Sequence, residues 1–136
     1  MELIILSGEA DSGKTGIMTQ IINSKNVKTI TLIKQTKPRQ TRNLPDYIGV
    51  FNIKSKCVGI VTRGDTRKQI IEGHSILLQS RYRFDVIICV CHPSNVNYTI
   101  NLYQTNNAYV VVTNKISKGL IKSNTTKIVN TIISII

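Results

Sequence analysis

Residues 2–15 read ELIILSGEADSGKT. Four aliphatic residues, Leu3, Ile4, Ile5 and Leu6, lead into Gly8, and from Gly8 onward the spelling is G-x-x-x-x-G-K-T. An unbroken apolar run of this length suits a strand buried on both faces, as central parallel strands are. Beyond Lys14, the residues Ile17, Met18, Ile21 and Ile22 recur at helical spacing. A helix is therefore expected over 14–23, with Asn23 or Asn26 ending it. Strand, glycine-bounded turn and helix follow one another directly, and the rest of the chain is read outward from them.

In that context the spelling resembles the P-loop (Walker A) nucleoside-triphosphatases. The resemblance is specific over residues 2–24 and architectural beyond them. It implies that Gly8, Glu9, Ala10, Asp11, Ser12, Gly13, Lys14, Thr15 and Gly16 wrap the phosphates of a nucleoside triphosphate. Gly8 and Gly13 would allow backbone angles that turn successive N–H groups toward the phosphate chain. The helix beginning at Lys14 would point its positive dipole end at the same anion. Lys14 would reach the β- and γ-phosphate oxygens, and the Thr15 hydroxyl would hold Mg²⁺. The implied cofactor is Mg²⁺ with ATP or GTP.

The remaining chain alternates strand and helix. Residues 28–35 (KTITLIKQ) read as a second strand. A strand after a helix after a strand predicts a right-handed βαβ unit and a parallel sheet. Two prolines make 36–45 a loop. Lys34, Lys37, Arg39 and Arg42 crowd it, which makes it a candidate loop for phosphate, a second substrate or nucleic acid. Residues 48–53 and 57–62 are short strands with a tight link, so a hairpin is expected and the sheet admits one antiparallel strand. Residues 66–80 place Ile70, Ile71, His74, Leu77 and Leu78 on one helical face. The run 85–91 (DVIICVC) reads as another central strand. Ser94 is placed to cap a helix to about 104, with Val96, Ile100 and Tyr103 inward. A last strand over 108–113, a loop over 114–119 and a helix over 125–136 complete a single domain. The fold class is α/β: a mostly parallel sheet with helices on both faces, of P-loop NTPase type.

A P-loop enzyme generally needs a second acid to hold Mg²⁺ through water. Asp65 follows the strand at 57–62, with Arg63 and Gly64 between, whereas Asp85 and Glu2 begin their strands and face the opposite sheet edge. Thr15 and Asp65 are therefore the expected metal residues, and Lys14, Asp65 and Arg63 the expected catalytic set. Arg63 and Arg67 flank the acid and can stabilise γ-phosphate charge. His92 leaves the end of a central strand, where it can orient water or sense ligand. The run VVVTNKIS (110–117) is similar to the guanine-reading N/T-K-x-D loop of GTPases, but Ser117 stands where the acid belongs and lacks its charge. ATP is favoured over GTP on that ground. Asp46-Tyr-Ile-Gly49 spells D-x-x-G but follows a proline loop instead of a strand. The LIKQT run is similar to LIKHT in the GTP-binding adapters of molybdenum-cofactor nucleotide synthesis. That likeness covers residues 3–36 alone, and no function is carried over from it.

The 136 residues carry 18 Lys and Arg against seven acids, a net charge of +11. Such a charge draws polyanions: nucleotides, nucleic acid or an acidic protein. Cys57, Cys89 and Cys91 all lie in apolar runs, and their odd number predicts buried, reduced thiols and a cytoplasmic protein. No apolar run approaches the length needed to span a bilayer, and a loop starting at Gly8 leaves no room for a secretory leader. Short P-loop domains often complete their site across a dimer, so a homodimer is an expectation carried by the resemblance. The expected function is Mg²⁺-dependent nucleoside-triphosphate binding with hydrolysis or phosphoryl transfer. The alternatives are a GTP-binding switch or adapter with slow turnover, and a nucleic-acid-associated ATPase.

Overall fold

Six strands and four helices alternate along the chain in the computed structural model, which describes residues 1–9, 12–35 and 46–136. The strands are β1 (Glu2–Ser7), β2 (Val27–Gln35), β3 (Tyr47–Ile53), β4 (Lys56–Val61), β5 (Val86–Cys91) and β6 (Ala108–Val112). The helices are α1 (Lys14–Ile22), α2 (Arg67–Gln79), α3 (Val96–Tyr103) and α4 (Ile121–Ile135). The expectations for Ala10, Asp11, and the basic loop with Lys37, Arg39 and Arg42 fall outside the described residues.

The strands form one mixed sheet in the order β2-β3-β4-β5-β1-β6. β4, β5, β1 and β6 are mutually parallel, and β3 runs antiparallel to both β4 and β2. The expected hairpin is β3–β4, turned by Lys54 and Ser55 at positive φ. The βαβ expectation needs correction. β2 runs in the same direction as β1 but lies at the far edge, four places away, paired only with β3. Its sequence explains why. Lys and Thr interrupt the aliphatics of VKTITLIKQ, so β2 cannot take the fully buried place next to β1 that the unbroken VIICVC of β5 takes.

Helices cover both faces. On β1, Ile4 and Leu6 pack with Ile17, Met18 and Ile21 of α1 and Ile128, Val129 and Ile132 of α4. Leu3 and Ile5 join Ile70 and Leu77 of α2 and Tyr103 of α3 in a second core on the other face. This alternation follows from the two-residue period of a strand. Two helix expectations are refined. The buried stripe of α2 is Ile70, Gly73 and Leu77, while Ile71 and Leu78 are exposed. α4 begins at Ile121 and not near 125, after a short 3₁₀ turn over Lys118–Leu120. All three thiols are free, with Cys89 and Cys91 buried. Among the described residues no helix is long and apolar enough to cross a membrane.

Candidate functional site

Four parallel strands end on one edge of the sheet, and the residues that follow them (8–9, 12–13, 62–66, 92–95 and 113–117 among the described ones) lie along it. β3 is antiparallel, so its first residue and the preceding Asp46 reach the same edge, as do Lys34 and Gln35 at the end of β2. The edge therefore gathers Lys14, Asp46, Arg63, Asp65 and His92.

The 8–15 turn is anchored at its base. Gly8 N–H donates to the Cys91 carbonyl at 3.2 Å, and Thr113 N–H donates to the Ser7 carbonyl at 2.8 Å. The buried Thr113 hydroxyl donates to the Ser12 carbonyl at 3.0 Å. A side chain at Gly8 has no space: a Cβ there would stand 2.3 Å from Ser12 Oγ and 2.8 Å from the Thr113 carbonyl oxygen. Gly13 enters α1 with φ of 89°, in the left-handed region.

Lys14 opens α1 and is buried at 8 % exposure. Its ammonium donates to the Gly8 carbonyl and, at 2.7 Å, to the Glu9 carbonyl. The first turn of α1 contains no acid. A cation here adds to the positive end of the helix dipole, an arrangement unfavourable to the helix by itself. Its field is felt by Cys91. Burial pushes that thiol up, while a hydrogen bond with Thr99 and the Lys14 charge pull it the other way. The Ser12 hydroxyl is buried without a hydrogen-bond partner among the described residues. Thr15 and Gly16 follow on α1, each half-buried.

Asp65 is exposed at the mouth of α2, where its N–H donates to Gln69 Oε1 at 2.9 Å. The helix cap is the next residue, Thr66, whose hydroxyl accepts from Gln69 N–H at 3.3 Å. β5 separates β4 from β1, so the end of β4 starts about 10 Å across the edge from the 8–15 turn. The intervening Gly64 lies flat on β5, where a Cβ would sit 1.7 Å from the Val90 carbonyl oxygen.

The two arginines beside Asp65 are engaged. Arg63 Nε stands 4.0 Å from Asp46 Oδ2. Arg67 lies 4.5 Å above the Tyr98 ring, with Nε donating to Asn95 Oδ1 at 3.4 Å. Asp46 also accepts from the Thr62 hydroxyl at 3.4 Å. From the sequence, Asp46 is set aside because its D-x-x-G follows a proline loop instead of a strand, and an acid before a parallel strand would face the opposite edge. The antiparallel course of β3 inverts that rule, and the expected hairpin was the signal that could have revealed it. His92 caps the 3₁₀ turn over Pro93–Asn95, its Nδ1 accepting from Ser94 N–H at 3.2 Å, and the cap position of α3 is Asn95, not the expected Ser94.

No group of three His, Cys, Asp or Glu able to hold a metal occurs among the described residues. Mg²⁺ does not need one. It retains several waters and takes one or two protein oxygens beside a substrate's phosphates, which a single hydroxyl such as that of Thr15 can satisfy. Comparisons with protein-family models, curated proteins and solved structures found no match to this chain.

Proposed function

We propose that the 8–16 segment binds a nucleoside triphosphate with Mg²⁺, ATP in preference to GTP, for hydrolysis or phosphoryl transfer. The observation that carries this reading is the Lys14 ammonium, buried at a helix N-terminus between the carbonyls of Gly8 and Glu9. The ammonium and the helix N-terminus both attract an anion to this point. The orphaned Ser12 hydroxyl offers that anion a further donor. Thr15 would hold the Mg²⁺, which supplies charge neutralisation on the phosphates. Asp65 would orient its water shell from across the sheet edge.

Catalysis on this reading is positioning plus charge stabilisation. A second reading, a nucleotide switch with slow turnover, is favoured by the arginines. Arg63 faces Asp46 and Arg67 stacks on Tyr98, so neither is committed to a γ-phosphate.

The test is Mg²⁺-dependent binding and hydrolysis of ATP and GTP by wild type and Lys14→Ala. Lys14→Ala should weaken ATP by about 10–100-fold, the worth of a hydrogen-bonded charge on a phosphate. Turnover lost in the variant supports the enzyme; tight binding with little turnover supports the switch. A wild-type protein that binds neither nucleotide sinks both.

A further inference from the structure

Away from the 8–15 turn, on the sheet face covered by α2 and α3, two grooves open beside one another. The first lies where α2 and α3 end and β5 begins. Its lining includes His74, Leu77, Leu78, Tyr82, Phe84 and Tyr103, and it holds about 570 Å³ of atom-free space, part of it open to solvent. The second runs between the end of α2 and β2. Thr31, Ile33, Ile76, Gln79 and Ser80 border its 820 Å³, which is also open to solvent. Tyr82 belongs to both linings, so the grooves meet at its ring.

Four of these side chains are rings. His74 and Tyr103 meet edge to face with centroids 4.7 Å apart, and Tyr82 and Phe84 are tilted at 35° with centroids 6.3 Å apart. Tyr82 is 42 % exposed and Leu78 is 66 % exposed, so folding leaves aromatic and aliphatic surface open to water here. Burial holds the His74 imidazole below its ordinary range. The ring is therefore neutral at pH 7, with one nitrogen to donate and one to accept. Arg81 and Arg83 flank Tyr82 in the chain, and both are exposed. Among the described residues neither arginine is in an ion pair: Glu72 is paired with Lys34, and Asp85 accepts from Cys57 N–H.

We propose that the two grooves bind single-stranded nucleic acid, with an unpaired base seated among the rings and backbone phosphates against Arg81 and Arg83. This does not depend on the phosphate reading of the 8–16 segment, which lies at the other ends of the strands. Phosphates met by arginine supply affinity without regard to sequence, and a chain of net charge +11 draws a polyanion from a distance. Bases stack on aromatic side chains, and a base has its faces free to do so only where it has left a duplex. A duplex would bring phosphates to the arginines but no base into the first groove. An acidic protein segment would meet the arginines without calling for the rings.

The experiment is fluorescence anisotropy of labelled oligo(U), oligo(dT) and a DNA duplex, each about 20 nucleotides long, enough to span a single-strand groove. Salt is varied between about 50 and 200 mM. Wild type should bind both single strands more tightly than the duplex and lose affinity as salt rises. Tyr82→Ala should weaken single-strand binding about tenfold, the worth of one stacked base. Tyr82→Phe keeps the ring and should bind as wild type does. Arg81→Ala with Arg83→Ala should weaken binding and lower the salt slope by about 1.4, as two phosphate contacts on a single strand require. Lys122→Ala with Lys127→Ala removes the same charge from exposed positions of α4, on the other face of the sheet, and should bind nearly as wild type does. Equal losses in the two double variants would reduce the binding to general attraction and overturn the site. So would a folded Tyr82→Ala that binds as tightly as wild type, or a duplex bound as tightly as the single strands. A wild type that binds neither single strand at about 150 mM salt overturns the proposal and leaves the grooves to a protein partner.

Discussion

Two lysines stand at the same edge of the sheet in opposite circumstances. Lys14, beyond the end of β1, is buried and held by backbone carbonyls. Lys34, near the end of β2, is half-exposed and paired with an equally exposed Glu72. Their strands differ in the same way. β1 buries Leu3 to Leu6 completely, whereas β2 leaves Ile30, Leu32 and Ile33 open to water. Both strands carry aliphatic residues, but Lys and Thr interrupt those of β2, and β2 stands at the edge of the sheet. β1 has neighbours on both sides and helices on both faces, while β2 hangs on β3 alone. A charge costs most and acts most strongly where water is excluded. The candidate site is therefore at the dry end of the edge, while toward the other end Lys34 pairs with Glu72 and Arg63 with Asp46.

The sharpest way to break the dry side is to fill it. Gly64→Ala puts a methyl 1.7 Å from the Val90 carbonyl oxygen, a contact that backbone must move to relieve. The loop carrying Asp65 would lift off β5. The expected loss is about 3–5 kcal/mol, at or beyond the usual range for overpacking. Urea denaturation measures it, with Gly119→Ala as the control: a Cβ there meets nothing within 4 Å. Equal stability of the two variants would mean that the loop does not lie on β5.

Truncation separates the strands more gently. Ile4→Ala removes a fully buried side chain between α1 and α4 and should cost about 3 kcal/mol. Leu32→Ala in β2 takes away a side chain that is 46 % exposed and should cost under about 1 kcal/mol. The two midpoints in urea, at unchanged slope, give the comparison directly. Similar losses would show that β2 is covered in solution.

Much of this contrast was legible in the sequence. Unbroken aliphatic runs announced β1 and β5 as central, and the short Lys-Ser-Lys link announced the β3–β4 hairpin. Helical period placed α1, α2 and α4 within a few residues. What could not be read was non-local. Nothing between residues 22 and 28 tells the chain to carry β2 across to the far edge; that depends on β3, β4 and β5 filling the nearer places. The place of Asp46 was hidden for the same reason, since its edge is set by the direction of β3. The entry into α1 through Gly13 and Lys14 was legible because its signals are consecutive in the sequence. The exposure of Ile71 and Leu78 on α2 is a further non-local effect: the contact of Gly73 with Val61 of β4 fixes which stripe of the helix turns inward.

The smallest effect belongs to the wet end. The hydrogen bond from Lys34 holds the Glu72 carboxyl below its ordinary range, aided by the nearby positive charges of Lys34, Arg63 and Lys68. A carboxyl depressed in the folded state contributes stability above its unfolded value of about 4.3, and that contribution fades as pH falls through the lower folded value. Both side chains keep much of their hydration, so Glu72→Gln should cost less than about 0.5 kcal/mol at pH 7 and low salt. The gap between wild type and variant should close by pH 3, and also in 1 M salt, where the screening length falls to about 3 Å. Thermal melts of both proteins across that pH and salt grid test it. A gap that survives both acid and salt would mean that Glu72 holds α2 against β2 by packing instead of charge, and the distinction between the two ends of the edge would have to be redrawn.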